Sequence, residues 1–215
     1  MSEQARVRHY FDENAARFDA IYGQNKSVIS KFLNKVFRQV MIDRFQLVFR
    51  RCGDVKNKSI LDVGCGSGRY SVDFAQRGAK EVIGIDFSSE MIHLAVHRAI
   101  QKNVSTRCTF IQGNFLQQKF MRTFDVVTAI GLFDYVHDPE VFLSQCHQLT
   151  DDVFFGSFPM RNDWRMPIRR LRLMLSNCPV YFYGEQQARQ LCENAGFKHI
   201  KVWKLSRDYL VEEHP

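Results

Sequence analysis

The sequence predicts an α/β fold: a doubly wound, mostly parallel sheet with helices on both faces. Three observations carry the prediction. From residue 59 to residue 158, short apolar runs alternate with helical patterns. The first run, Ile60-Leu61, passes through Asp62 and Val63 into a turn holding Gly64, Gly66 and Gly68, and a helical pattern with Tyr70, Val72, Phe74 and Ala75 follows. The second run, Val82-Ile83-Gly84-Ile85, ends in Asp86. Strand, glycine turn and helix in that order make a ligand crevice, because glycine lets the backbone approach a ligand and the helix start offers unpaired N–H groups. A carboxylate at the end of the second strand can accept hydrogen bonds from both hydroxyls of a ribose.

The elements follow in order. In residues 1–27, Tyr10, Phe11, Phe18, Ile21 and Tyr22 recur at helical spacing. In 28–51, Ile29, Phe32, Leu33, Val36, Phe37, Val40 and Met41 form one face of a long amphipathic helix, and Lys31, Lys35, Arg38, Arg44, Arg50 and Arg51 decorate the rest. Such a helix covers a sheet; a peripheral membrane contact is its second reading. Strands are expected over 59–63, 81–85, 106–111, 125–130 and 152–158. Helices are expected from the glycine turn to Arg77 with Gly78 as stop, from Ser88-Ser89 through Ala99, and over 140–149. Residues 185–194 read as a helix stopped by Gly196, 198–204 as a strand, and 208–211 as an antiparallel partner, making seven strands. Right-handed crossovers bring the strand ends Gly64, Asp86, Asn114 and Ile130 to one edge. The chain divides into a cover region, 1–51, and a core, 52–215. Within the core, 159–184 is a basic, aromatic insert with Arg161, Arg165, Arg169, Arg170 and Arg172, suited to gripping an acidic substrate group or to facing water.

Composition bounds the function. At 215 residues, with 45% hydrophobic and 25% charged residues, the chain fits one globular domain with a full core. No apolar run approaches bilayer length and the N-terminus carries no secretory pattern, so a cytoplasmic location is the expectation. The six cysteines include no CxxC and no zinc-ligand spacing, which leaves free thiols and no metal site. Cys65, inside the glycine turn, reads as a small filler. The net charge of +7 is spread without a run of five basic residues, which argues against nucleic acid as partner.

The strings LDVGCGSG and VIGIDFS resemble the motif positions of class I S-adenosylmethionine-dependent methyltransferases. The resemblance covers roughly residues 10–210 and implies a Rossmann-like core with an N-terminal helical lid. The segment YFDENAARFDAIY resembles the lid of small-molecule methyltransferases, with Tyr10, Phe18 and Tyr22 as the matching aromatics. The lid segment and the string Ser157-Phe158-Pro159 are similar to magnesium-protoporphyrin and quinone-pathway methyltransferases. By this resemblance, S-adenosylmethionine is the cofactor, S-adenosylhomocysteine its product, and a small molecule the acceptor. Gly64, Cys65 and Gly66 would meet the methionine part, and Asp62 would hold its ammonium. Asp86 would take the ribose, Phe87 and Met91 would flank the adenine, Asn114 would accept from its amino group, and Phe115 would add an apolar contact. Ile130 would offer a backbone carbonyl. On the acceptor side, Tyr135 and His137 are the candidates for catalysis, with Asp134 beside them; the alternative is that Asp134 or Asp138 caps a helix and His137 is a surface residue. Two other readings stand beside this one: an RNA- or protein-modifying methyltransferase, and a nicotinamide-dependent oxidoreductase, which Arg69 disfavours by occupying the third glycine position of a dinucleotide fingerprint.

Overall fold

The computed structural model describes residues 3–20, 41–161 and 179–214. Its elements are α1 (Glu3–Ala20), α2 (41–52), β1 (Ser59–Val63), α3 (Arg69–Gln76), β2 (Glu81–Asp86), α4 (Ser89–Gln101), β3 (Cys108–Gln112), β4 (Phe124–Ala129), α5 (Pro139–Leu149), β5 (Thr150–Pro159), α6 (Glu185–Asn194), β6 (His199–Lys204) and β7 (Asp208–His214). A turn of 3-10 helix, Phe115–Gln117, follows β3. Tyr22, the Phe18 side chain, the first part of the 28–51 helix and most of the 159–184 insert lie outside the described residues.

The seven strands form one sheet in the order β3-β2-β1-β4-β5-β7-β6. The first five run parallel, and β7 pairs antiparallel with both β5 and β6. Side chains alternate across the sheet, as a period of two requires. Leu61, Val127 and Phe154 enter the apolar layer with Leu143 of α5 and Ala188 of α6, whereas their neighbours Ile60, Val126 and Phe155 enter the layer with Val48 and Phe49 of α2 and Val72 and Phe74 of α3. Both faces are therefore covered, and α2 shares its layer with α3: Phe49 lies 4.6 Å from Phe74 between ring centroids. Among the described residues no helix is long and apolar enough to cross a membrane.

Element bounds shift from expectation by one to three residues. β5 starts at Thr150 rather than 152, because the polar Thr150 and Asp151 lead into the strand. β7 extends to His214 rather than 211, because Glu212 and Glu213 are buried strand residues despite their charge. Ser88 caps α4 as expected, accepting from the Met91 N–H. Gly78 and Gly196, expected as stops, follow α3 and α6 with φ of 93° and 107°.

Candidate functional site

The site is the carboxyl edge of β1, β2, β3 and β4. Leaving β1, the chain hooks onto the end of β2: the Gly64 and Cys65 N–H groups donate to the Ile85 carbonyl at 2.8 and 3.1 Å. Gly66 and Gly68 take φ of 52° and 72°, the left-handed region that disfavours a side chain. The nearest atom to a Cβ on Gly66 would be Met91 Sδ at 4.0 Å, so space is open there. On Gly68 it would stand 2.8 Å from Ala95 Cβ, so that glycine lets α3 start close against α4. Arg98 of α4 donates to the Ser67 carbonyl at 2.8 Å and holds the turn from outside.

Asp86 closes the crevice. Its Oδ2 accepts from the Gly66 N–H at 2.9 Å and its Oδ1 from the Ser88 N–H at 2.9 Å. Burial pushes its pKa up to about 6; the two N–H groups pull it down, and Asp62 and Asp12 nearby push it up. The charges around this carboxylate are thus of its own sign.

Asp62, expected to hold the ammonium, is bonded from within the fold. It is 2% exposed, and its oxygens accept from the Ser71 N–H (3.1 Å), the Ser71 hydroxyl (2.6 Å) and the Thr128 hydroxyl (2.9 Å). Burial raises its pKa, opposed by those three bonds. These contacts pin β1 to α3 and β4 beneath the turn. Cys65 is buried and its S–H faces the Gly66 carbonyl at 3.7 Å; burial lifts the thiol well above its ordinary value, followed by the charges of Asp86 and Asp62. This chemistry suits a filler rather than a nucleophile.

The adenine-side candidates separate. Phe87 is half-buried at the rim and Met91 faces Gly66. Asn114 caps the 3-10 turn, its Oδ1 accepting from the Leu116 N–H at 3.1 Å, which leaves its second lone pair for a ligand. Phe115 is 4% exposed and packs against Phe120 and Phe142, so its ring belongs to the core. Ile130 is half-buried just before Gly131, whose N–H donates to Ser157 Oγ at 2.8 Å.

On the acceptor side, Tyr135 is half-buried and His137 exposed, with its ring edge-on to Tyr181 at 5.7 Å. Asp138 stands at the cap position of α5 without a side-chain bond to it. Asp134 does not begin a helix; it is buried in the loop, its carbonyl accepting from the Tyr181 N–H at 2.9 Å. The segment 179–183 thus lies against this loop.

Sequence reasoning missed three participants. Phe11 of α1, not Tyr10, stands edge-on to Phe87 (6.2 Å) and to Tyr135 (5.0 Å), while Tyr10 is buried beside Val7. Thr128 reaches Asp62 from β4, and its one signal was a hydroxyl within an apolar strand. Asp12 meets Ser88 across the crevice mouth.

A methyltransferase-domain family model matches residues 60–152. The chain is similar to the ubiquinone biosynthesis O-methyltransferase of Escherichia coli O127:H6, with 27% identity over 185 residues, 83% of this chain and 75% of that protein. The corresponding protein of Photorhabdus laumondii is 28% identical over 142 residues, 63% of this chain and 58% of its own length. Among solved structures, magnesium protoporphyrin IX methyltransferase from Synechocystis PCC 6803 with bound SAH superposes with a TM-score of 0.79 at 20% identity, covering 98% of this chain and 99% of that one. An S-adenosylmethionine-dependent methyltransferase from Mesorhizobium loti gives 0.67 at 18% identity, over 82% and 98%. At these identities the superpositions establish the fold.

Proposed function

Since the chain is a class I S-adenosylmethionine-dependent methyltransferase acting on a small molecule, we propose that it methylates an oxygen and that the crevice at Gly64–Gly66 and Asp86 holds the cofactor. The carrying observation is the joint between the Gly66 N–H and Asp86, beside open space at Gly66. A buried carboxylate ringed by N–H donors and acidic neighbours gains from ligand hydroxyls that donate to it. The O-methyltransferase relatives support oxygen as the accepting atom.

When bound, the sulfonium supplies an activated methyl group, so displacement needs chiefly alignment. Asp86 orients the ribose, and Phe87 and Met91 border the base. Asp62 acts indirectly, keeping the turn in place through Ser71 and Thr128. The loop 131–138 and the segment 179–183 wall the acceptor side. A hydroxyl acceptor needs its proton removed, and His137 is the exposed imidazole on that loop. Tyr135, held against Phe11, forms a wall between acceptor and cofactor rim.

The test is transfer of labelled methyl from S-adenosylmethionine to a panel holding a catechol, a simple phenol, an organic carboxylic acid and an amine. Product on an oxygen acceptor is the expected result. Labelling of the amine alone would refute oxygen as the target, and no calorimetric binding of S-adenosylhomocysteine would refute the cofactor site.

A further inference from the structure

Helix α1 reaches the crevice mouth through Asp12 and Phe11. Ser88 Oγ donates to Asp12 Oδ1 at 2.6 Å. The same hydroxyl accepts from the Met91 N–H at 3.2 Å, and the Ser88 N–H donates to Asp86 Oδ1 at 2.9 Å. One residue therefore touches the covering helix, the start of α4 and the carboxylate assigned to the ribose. Next to Asp12, Phe11 lies edge-on to both Phe87 and Tyr135, so α1 spans the mouth from cofactor rim to acceptor loop. One turn earlier, Arg8 stands 3.6 Å from the other oxygen of Asp12.

We infer that Asp12 and Ser88 are positioning residues for cofactor retention: their hydrogen bond holds α1 across the crevice mouth and keeps the Ser88 N–H aimed at Asp86. The inference rests on the cofactor site proposed above. Among the described residues the apolar anchorage of α1 is small. Its described cluster comprises buried Val7 and Tyr10 with partly buried Phe11, Phe87, Tyr135 and Val180. A segment held by few buried contacts opens more readily than the core does. A short hydroxyl-to-carboxylate bond is among the stronger kinds, so it adds a specific tie to that apolar cluster. Asp12 touches neither the glycine turn nor Asp86 through a hydrogen bond. Its loss leaves the ribose carboxylate and its N–H donors standing, and the consequence falls on how fast a bound nucleoside escapes.

The experiment measures S-adenosylhomocysteine dissociation by stopped flow for the full chain and for Asp12→Ala, Asp12→Asn and Ser88→Ala, alongside ligand-free melting. Asp12→Ala is expected to release the nucleoside about tenfold faster at little change in ligand-free melting. Asp12→Asn keeps an oxygen for the Ser88 hydroxyl and is expected to recover most of the slow release. A merely structural role would not produce that recovery. Should Asp12→Ala fail to fold, Ser88→Ala removes the same bond from the other side and is expected to accelerate release likewise. Wild-type release rates in Asp12→Ala and Ser88→Ala, or equal acceleration in Asp12→Ala and Asp12→Asn, would overturn the inference and leave the cofactor site intact. Failure of the unaltered chain to bind the nucleoside would overturn both.

Discussion

Asp86, at the end of β2, and Glu212, in the middle of β7, are both buried carboxylates, and they differ in what faces the charge. Glu212 receives a two-pronged grip from Arg51, with Nε at 2.7 Å and one terminal nitrogen at 2.8 Å, plus the Trp203 indole N–H at 2.8 Å. Burial alone pushes its pKa up, but the bonds from Arg51, Trp203 and His214 outweigh it and the net shift is downward. Asp86 has N–H donors and acidic neighbours, and its net shift is upward to about 6. The signs of the two stability contributions are opposite. That of Glu212 is present above its ordinary 4.5 and lost as pH falls through its lower folded value. That of Asp86 is complete below 3.8 and lost as pH rises through about 6, so at neutral pH it is absent. A carboxylate answered from within serves the fold, and one left facing its own sign is, under the proposed cofactor site, set up to meet a ligand.

The largest expected effect tests the ligand half of this contrast. Asp86→Ala should weaken S-adenosylhomocysteine binding about a hundredfold by calorimetry, the scale of two charge-assisted hydrogen bonds. Next, Glu212→Ala should lower stability by about 2 kcal/mol in urea melts, since it strands the Trp203 N–H and half-exposed Arg51, while nucleoside affinity stays put. Reduced affinity there would blur the distinction. Third, wild-type affinity should fall about tenfold between pH 7.5 and pH 5, following protonation of a group at about 6. A flat profile over that range would mean that the Asp86 charge is not what the ligand meets. Smallest, Gly66→Ala should cost about 1 kcal/mol of stability, from its positive φ without a clash, yet it should damage nucleoside binding more than folding by placing a methyl in the open space.

The parallel half of the sheet was legible because each element there is announced locally. Apolar runs, the glycine turn and the Ser88 cap are patterns of neighbours in sequence. Asp86 and the turn were legible for the same reason. What escaped depends on partners distant in the chain. Asp62 was expected at the ligand, but Ser71 lies 9 and Thr128 66 positions away, and no local spacing reveals that they take up its oxygens. Phe115 followed the motif, yet Phe120 and Phe142 draw its ring inward. In α1 the aromatic spacing indicated a helix but not which of the adjacent Tyr10 and Phe11 meets the crevice, since that depends on the helix's rotation against Phe87 and Tyr135. The antiparallel strand after 208 was expected, whereas its seat between β5 and β6 is a matter of global order.

That seat constrains how the molecule is made. Among the described strands, β6 joins the sheet solely through β7, which lies after it in the chain. During folding, β6 therefore has no edge to dock on until β7 is in place, while β1 through β5 can already be assembled. Until Asp208–His214 arrives, β5 also presents an open border. A folding intermediate with β1 through β5 paired and Asp208–His214 still undocked is the form most exposed to sticking to its neighbours.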